Sequence, residues 1–291
     1  MRATPGAEPG RAAPLRRSAG VPLVRGAEPG RAAPLRRSAG VPRILLVGGL
    51  EPSGRAGLLA DAEAVRVRGG VPLVVAAAVT AQGARTFAWE AVAPALVAAQ
   101  IRAVRELGAV DAVKLGMIPG RAQLRAVCRA LRGARVPWVV DPVVRASSGG
   151  RLSGLGRTDY LGLAGEGVWL TPNAVEAAWL LGTERLDGVD EARRAAELLE
   201  ALGFEGVVVK GGHLAGRAVR DTLATGGRVR VLAGSRLPRG PAHRGTGCRF
   251  ASALATELAR GTAPGRSVAR ARALVRRSLT AGSRGRVGSS G

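Results

Sequence analysis

Lysine is almost missing from this chain. Of its 44 basic residues two are lysine, Lys114 and Lys210, and all the others are arginine. Aromatic residues make up 3% of the 291 positions: four tryptophans, three phenylalanines and one tyrosine. So few rings give successive bases no platform to stack on, which argues against nucleic-acid binding as a main role even at a net charge of +23. Cysteine occurs twice, at Cys128 and Cys248, far apart and in unlike settings. The two make neither a disulfide framework nor a metal-ligand cluster, so a reducing cytoplasm is the expected compartment. No apolar run approaches the roughly 18 residues that suggest a membrane-spanning helix, and the N-terminal residues lack the apolar core of a secretory signal. No membrane partner is expected.

What is present is ordinary for a globular protein: 46% hydrophobic and 22% charged residues, in a chain long enough for one large α/β domain with a buried core. The arginine excess, accompanied by abundant Ala, Gly and Val, reads as GC-rich coding bias. Against that drift, lysine is kept at the ends of two apolar runs, VKLGM (113–117) and VVVKGGH (207–213). Either this is chance survival, or these strand ends need a compact point charge on a flexible stem rather than a bulky planar one.

Residues 6–22, GAEPGRAAPLRRSAGVP, recur letter for letter at 26–42. A unit repeated twice and rich in Pro, Gly and Arg is no solenoid, and it has little to bury. Residues 1–42 are therefore expected to be a disordered tail, a regulatory or nucleic-acid arm being the other reading, and 43–291 the folded domain. From Arg43 onward apolar runs alternate with amphipathic ones. Strands are expected at 43–49, 71–80, 109–116, 136–142, 167–173 and 205–212, with two short ones near 219–224 and 228–233. Helices are expected at 55–68, 92–107, 123–133, after Asn173, and at 191–203, 246–260 and 265–280. This alternation predicts a mostly parallel central sheet flanked by helices on both faces, with ligands gathering at the carboxyl ends of the strands.

The segment RGTGCRFASALATELARG (244–261) carries the most chemistry. Gly245 and Gly247 flank Thr246 in a tight turn, and a helix starts near Cys248. A glycine turn at a helix N-terminus forms an anion hole suited to a transferring phosphoryl group. The helix dipole is expected to lower the Cys248 thiol pKa, so that a partial thiolate takes a proton from a substrate hydroxyl. A glycine cap beside a small buried cysteine fits the same letters.

GTGC followed by a helix resembles the anion-hole signature of the hydroxymethylpyrimidine and phosphomethylpyrimidine kinases of the ribokinase superfamily. Six further segments match that family in the same order: GGLEPSGRAGLLAD (48–61), VTAQGA (79–84), VKLGMI (113–118), VVDPVVRASSG (139–149), LTPNAVEA (170–177) and VVVKGGH (207–213). The resemblance spans about residues 43–280. It implies a ribokinase-like kinase domain, ATP and Mg2+ as cofactors, a hydroxymethylated aminopyrimidine or its phosphate as small-molecule substrate, and a homodimer. By the same resemblance Asp61, Gln82, Met117 and Gly49 bind the ring. Lys210, Asn173 and Asp141 serve ATP and its phosphates, and Glu176 holds the metal. Gly245, Thr246, Gly247 and Cys248 are the catalytic turn. The residues alone leave blander readings open, such as a first-turn helix aspartate for Asp61, a solvated loop amide for Gln82, a core side chain for Met117 and a bare helix cap for Asn173. Three positions depart from the family pattern: Glu51 stands for aspartate or serine, Leu59 for glutamine, and Arg249 for the small residue after the cysteine. The rivals are a pyridoxal or pyridoxine kinase on the same fold and a non-catalytic binding module.

Overall fold

The computed structural model describes residues 38, 40–83, 85–145, 150–214, 216–237 and 244–284. The repeated segment at 6–22 and 26–42 falls almost wholly outside them, as do residues 146–149 of the fourth motif.

Among the described residues nine strands form one sheet. In chain order the elements are β1 (Arg43–Leu50), α1 (Gly57–Val67), β2 (Val71–Gln82), β3 (Phe87–Ala91), α2 (Pro94–Glu106), β4 (Ala112–Leu115), α3 (Arg121–Ala130), β5 (Trp138–Val140), α4 (Arg157–Leu161), β6 (Val168–Leu170), α5 (Ala174–Leu181), α6 (Val189–Ala201), β7 (Gly206–Val209), β8 (Ala218–Thr225), β9 (Arg228–Ser235), α7 (Thr246–Ala259) and α8 (Pro264–Arg284). The order across the sheet is β3-β2-β1-β4-β5-β6-β7-β8-β9. Strands β2, β1, β4, β5, β6 and β7 run parallel, and antiparallel partners close both sides.

Alternation along the parallel strands builds two cores. Leu45 and Val47 of β1, Val113 and Leu115 of β4, and Val207 and Val209 of β7 face one cluster. Their neighbours Ile44, Leu46, Ala112 and Val208 face the other, together with α1, α7 and α8. A strand covered on both faces reads as a continuous apolar run, which is why the sequence signals these strands strongly. Among the described residues, no helix is long and apolar enough to cross a membrane.

β1 sits at the reversal of strand order. From it the chain moves out to β2 and β3, then returns to its other side at β4. The carboxyl ends of the strands on either side of such a reversal splay apart and leave a crevice. Gly49, Gln82, Met117, Asp141, Asn173 and Lys210 all lie at or just beyond the carboxyl ends of parallel strands, so the topology gathers them at one rim.

Candidate active site

A cleft of about 1080 Å³ opens at this rim, and all twelve residues singled out for chemistry line it. Pockets of this size accommodate ligands of nucleotide or drug dimensions.

One wall is the N-terminus of α7. Gly245 caps it in the left-handed region at φ 73°, and a Cβ there would stand 2.1 Å from the Arg55 carbonyl oxygen. Only glycine takes this conformation without strain, and only glycine lets the turn lie against the 51–56 loop. The first N–H groups of a helix have no partner within it, and the first residues of α7, Thr246, Gly247 and Cys248, all line the cleft. Gly247 keeps the space before them open, since a Cβ on it would lie 3.1 Å from Lys210 Nζ and 3.5 Å from Asp141 Oδ2.

Under this wall lie two lysine–aspartate pairs, and they account for both lysines in the chain. Lys210 Nζ donates to Asp141 Oδ1 at 2.8 Å. Lys114 Nζ donates to Asp61 Oδ2 at 2.7 Å, and Ser252 Oγ donates to Asp61 Oδ1 at 2.7 Å. Lys114 and Asp61 are both 1% exposed at the side chain. Burial is the largest influence and works against the charge on each lysine, but the surrounding acidic groups together outweigh it, Asp61 with Cys248 and Asp141 for Lys114 and Asp141 with Glu176 and Cys248 for Lys210, so both stay above the ordinary lysine range. Removing one partner from a buried pair of this kind typically costs about 3–5 kcal/mol. Lysine suits these sites for a steric reason as well: a Cβ on Gly116 would already stand 2.7 Å from Lys114 Nζ, and a guanidinium is larger than an ammonium. Asp61 thus borders the cleft with both carboxylate oxygens engaged by the protein.

Asn173 caps α5. Its Oδ1 accepts from the Glu176 N–H at 3.0 Å, while Glu176 Oε2 accepts from the Asn173 N–H at 2.7 Å. This reciprocal capping box fixes both side chains at the cleft. Burial pushes the Glu176 carboxyl up to about 7, with Lys210 pulling it down and Asp141 pushing it further up. Among the described residues no group of three or more metal-ligating side chains converges. Mg2+ sites, however, commonly use one or two carboxylates plus substrate phosphates. Glu176 and Asp141, with bare Gly247 alongside, fit that mode.

The Cys248 thiol departs from expectation in sign. It is pushed up to about 11, not lowered. Burial is the largest cause; Lys114 and the Gly57 backbone pull it down, while Asp61 and Asp141 push it further up. The two carboxylates come from α1 and from the loop after β5, so the local helix-start pattern in the sequence could not count them.

Gly49, Met117 and Gln82 line the same cleft. A Cβ on Gly49 would lie 2.7 Å from Met117 Sδ, so Met117 packs over bare backbone. Met117 also joins Ala78 and Leu152 in a small apolar cluster. Gln82 Oε1 accepts from Arg244 Nη2 at 2.8 Å.

The departures from the family pattern have structural explanations in two cases. Glu51 clamps its own loop, accepting from Ser53 N at 3.1 Å, Ser53 Oγ at 2.7 Å and Ala56 N at 3.4 Å. Burial opposes its charge, yet Ser53, Ala56 and Arg244 together hold it below the usual carboxylate range. Arg249 lies beside the glycine turn without lining the cleft, with Nη2 donating to Glu63 Oε2 at 2.7 Å and Nη1 to the Arg55 carbonyl at 3.0 Å. It pins α7 to α1. Leu59 is half-exposed on α1, and nothing in the structure explains the change.

Sequence reasoning missed three contributors: Ser252, Arg244 and Asp221. Asp221 accepts from the Gly211 N–H at 2.7 Å and pairs with Arg272 at 2.8 Å, bracing the turn after Lys210. It comes from an antiparallel strand, and no local motif marks it. Arg244 stands directly before the glycine turn and was legible as part of that segment.

Residues 51–289 match the phosphomethylpyrimidine kinase family. A hydroxymethylpyrimidine/phosphomethylpyrimidine kinase of Streptomyces coelicolor is 38% identical over 246 residues, covering 82% of this chain and 89% of its own. The crystal structure of a phosphomethylpyrimidine kinase from Clostridium difficile 630 superposes with a TM-score of 0.69 at 27% identity, over 82% of this chain and 100% of that one. A Staphylococcus aureus pyridoxal kinase in complex with AMP-PCP gives 0.70 at 25% identity, over 81% and 87%. With the parallel sheet, the glycine turn and the paired lysines in place, this chain belongs to the phosphomethylpyrimidine kinase family and has the ribokinase-like α/β fold.

Proposed function

We propose that this protein transfers the γ-phosphoryl group of ATP to a hydroxymethylated aminopyrimidine, the pyrimidine precursor of thiamine, or to its monophosphate. The observation that carries the reading is a single cleft lined both by a glycine-flanked helix N-terminus with Lys210 and by Gln82, Met117 and Gly49. Family membership supports the phosphotransferase chemistry.

In this reading Lys210, kept charged by Asp141 and Glu176, lies against the ATP phosphates. The α7 turn meets the transferring group with backbone N–H donors, which stabilise charge that develops in the transition state. Glu176, with Asp141 beside it, would hold Mg2+, which supplies further neutralisation of phosphate charge. Met117 supports one face of the ring, and Gln82 bonds its polar edge. The Lys114–Asp61–Ser252 group ties α1, β4 and α7 together, and within it Lys114 pulls the Cys248 thiol down while Asp61 pushes it up. With its thiol held protonated, Cys248 serves an alcohol acceptor as a proton-accepting group only in its deprotonated fraction.

The deciding assay offers purified protein Mg·ATP with hydroxymethylpyrimidine, its monophosphate and pyridoxal side by side. Turnover of either pyrimidine with a higher kcat/KM than pyridoxal is expected. Faster turnover of pyridoxal would transfer the reading to a pyridoxal kinase, and turnover of none would leave a binding module.

A further inference from the structure

Arg244 is a cation of the cleft lining that no part of the reading above employs. It occupies the position just before Gly245, and it reaches across to Gln82 Oε1 at 2.8 Å. Its charge is also felt by the Glu51 carboxylate at the opposite loop. The guanidinium therefore bridges the anion turn, where phosphoryl transfer would occur, and the amide that would hold the ring. A ring seated on Gln82 and Met117, with its reactive CH2–O directed at the turn, must present that substituent beside Arg244.

We infer that Arg244 is a specificity-determining residue that makes this site prefer an acceptor already carrying a phosphate, the phosphomethyl ring, over the neutral hydroxymethyl ring. The inference rests on the pyrimidine reading above. A guanidinium has five N–H donors in a planar fork, and the bond to Gln82 employs one. Arginine forks match phosphate oxygens better than any other side chain does. The step balances without a base: an oxygen of the phosphomonoester attacks the γ-phosphorus of ATP, the bond from that phosphorus to the β-bridging oxygen breaks, and ADP leaves with the electron pair. The product is the ring diphosphate ester. A phosphomonoester is largely dianionic at neutral pH because its second pKa is about 6. It thus brings its own deprotonated nucleophile and asks no proton transfer of Cys248. The bond from Arg244 also orients Gln82, turning its carbonyl to the guanidinium and its NH2 to the ring. Gln82 then meets a ring nitrogen as donor.

The test is the ratio of kcat/KM for the phosphomethyl ring to that for the hydroxymethyl ring, measured for the wild type, R244Q and R244K with Mg·ATP. The wild type is expected to favour the phosphate, R244Q to lose about 10- to 100-fold of that ratio, and R244K, which keeps the charge without the fork, to recover only part of it. As a check independent of any variant, the wild-type KM for the phosphate should rise between about 0.05 and about 0.5 M salt, while that for the alcohol stays level. An unchanged ratio in R244Q, or a salt-insensitive KM for the phosphate, overturns the inference and leaves the pyrimidine reading standing. Turnover of neither ring by the wild type overturns both.

Discussion

At the scale of single residues, the chemistry turns on charges that arrive from distant segments. Cys248 stands at a helix start, a place that ordinarily favours a thiolate, yet burial with Asp61 and Asp141 pushes its thiol up to about 11. The pH dependence follows from that direction. Because the raised pKa keeps the thiol protonated at neutral pH, its basic form grows as pH climbs toward 11. kcat/KM for the hydroxymethyl acceptor, which reports groups of the free enzyme, should therefore rise along an alkaline limb. Cys248→Ser should lose that limb and about 10²- to 10⁴-fold of the alcohol reaction. The phosphomethyl reaction should show no such limb. The same limb in Cys248→Ser would take the base role away from this thiol. Lys114 and Lys210 stood out in the sequence because arginine fills nearly every other basic position. Their partners did not: Asp61 lies 53 residues from Lys114 and Asp141 lies 69 from Lys210, and no local pattern joins them.

Elements were legible in proportion to how deeply they are buried. The parallel strands and long helices announced themselves by apolar runs or helical spacing, but β3 and α4 did not. Each has five residues, too few to establish a period, and β3 has exposed positions because it forms the sheet's outer strand. The start of α7 was readable from its glycines, and those two glycines make separable predictions. Gly247→Ala adds a methyl 3.1 Å from Lys210 Nζ at an ordinary helical position. Turnover should fall at least about tenfold, while stability holds or improves, since alanine is favoured over glycine in helices by about 1 kcal/mol. Gly245→Ala forces a side chain into the left-handed region against the Arg55 carbonyl, so its melting temperature should fall along with its activity. Paired thermal melts and rate measurements separate the cases. Equal stability loss in both would mean that the Gly247 position is shaped by packing alone.

For the whole molecule, the alternation of strands and helices foretold one sheet with two covered faces, but not the strand order that places β1 at the reversal. The domain's described contacts reach back past Arg43: Pro42 O accepts from Val71 N at 2.8 Å, and Ser38 N donates to Ala259 O at 3.0 Å. A chain beginning at Ser38 should melt within about 2 °C of the full chain with kinase activity intact, whereas one beginning at Arg43 should melt lower. A large loss on removing residues 1–37 would show that the repeated segment contributes to the fold. The lysine pairing has one more consequence at this scale. Every side-chain amine in the molecule lies at the cleft, with Lys114 1% and Lys210 15% exposed. Apart from the α-amino group, an acylating reagent thus finds an outer surface with nothing to modify. Both amines are held charged, so such a reagent reacts with their small neutral fraction, more as pH rises, and suppression of that reaction by bound nucleotide reports occupancy of the cleft with no reporter group installed.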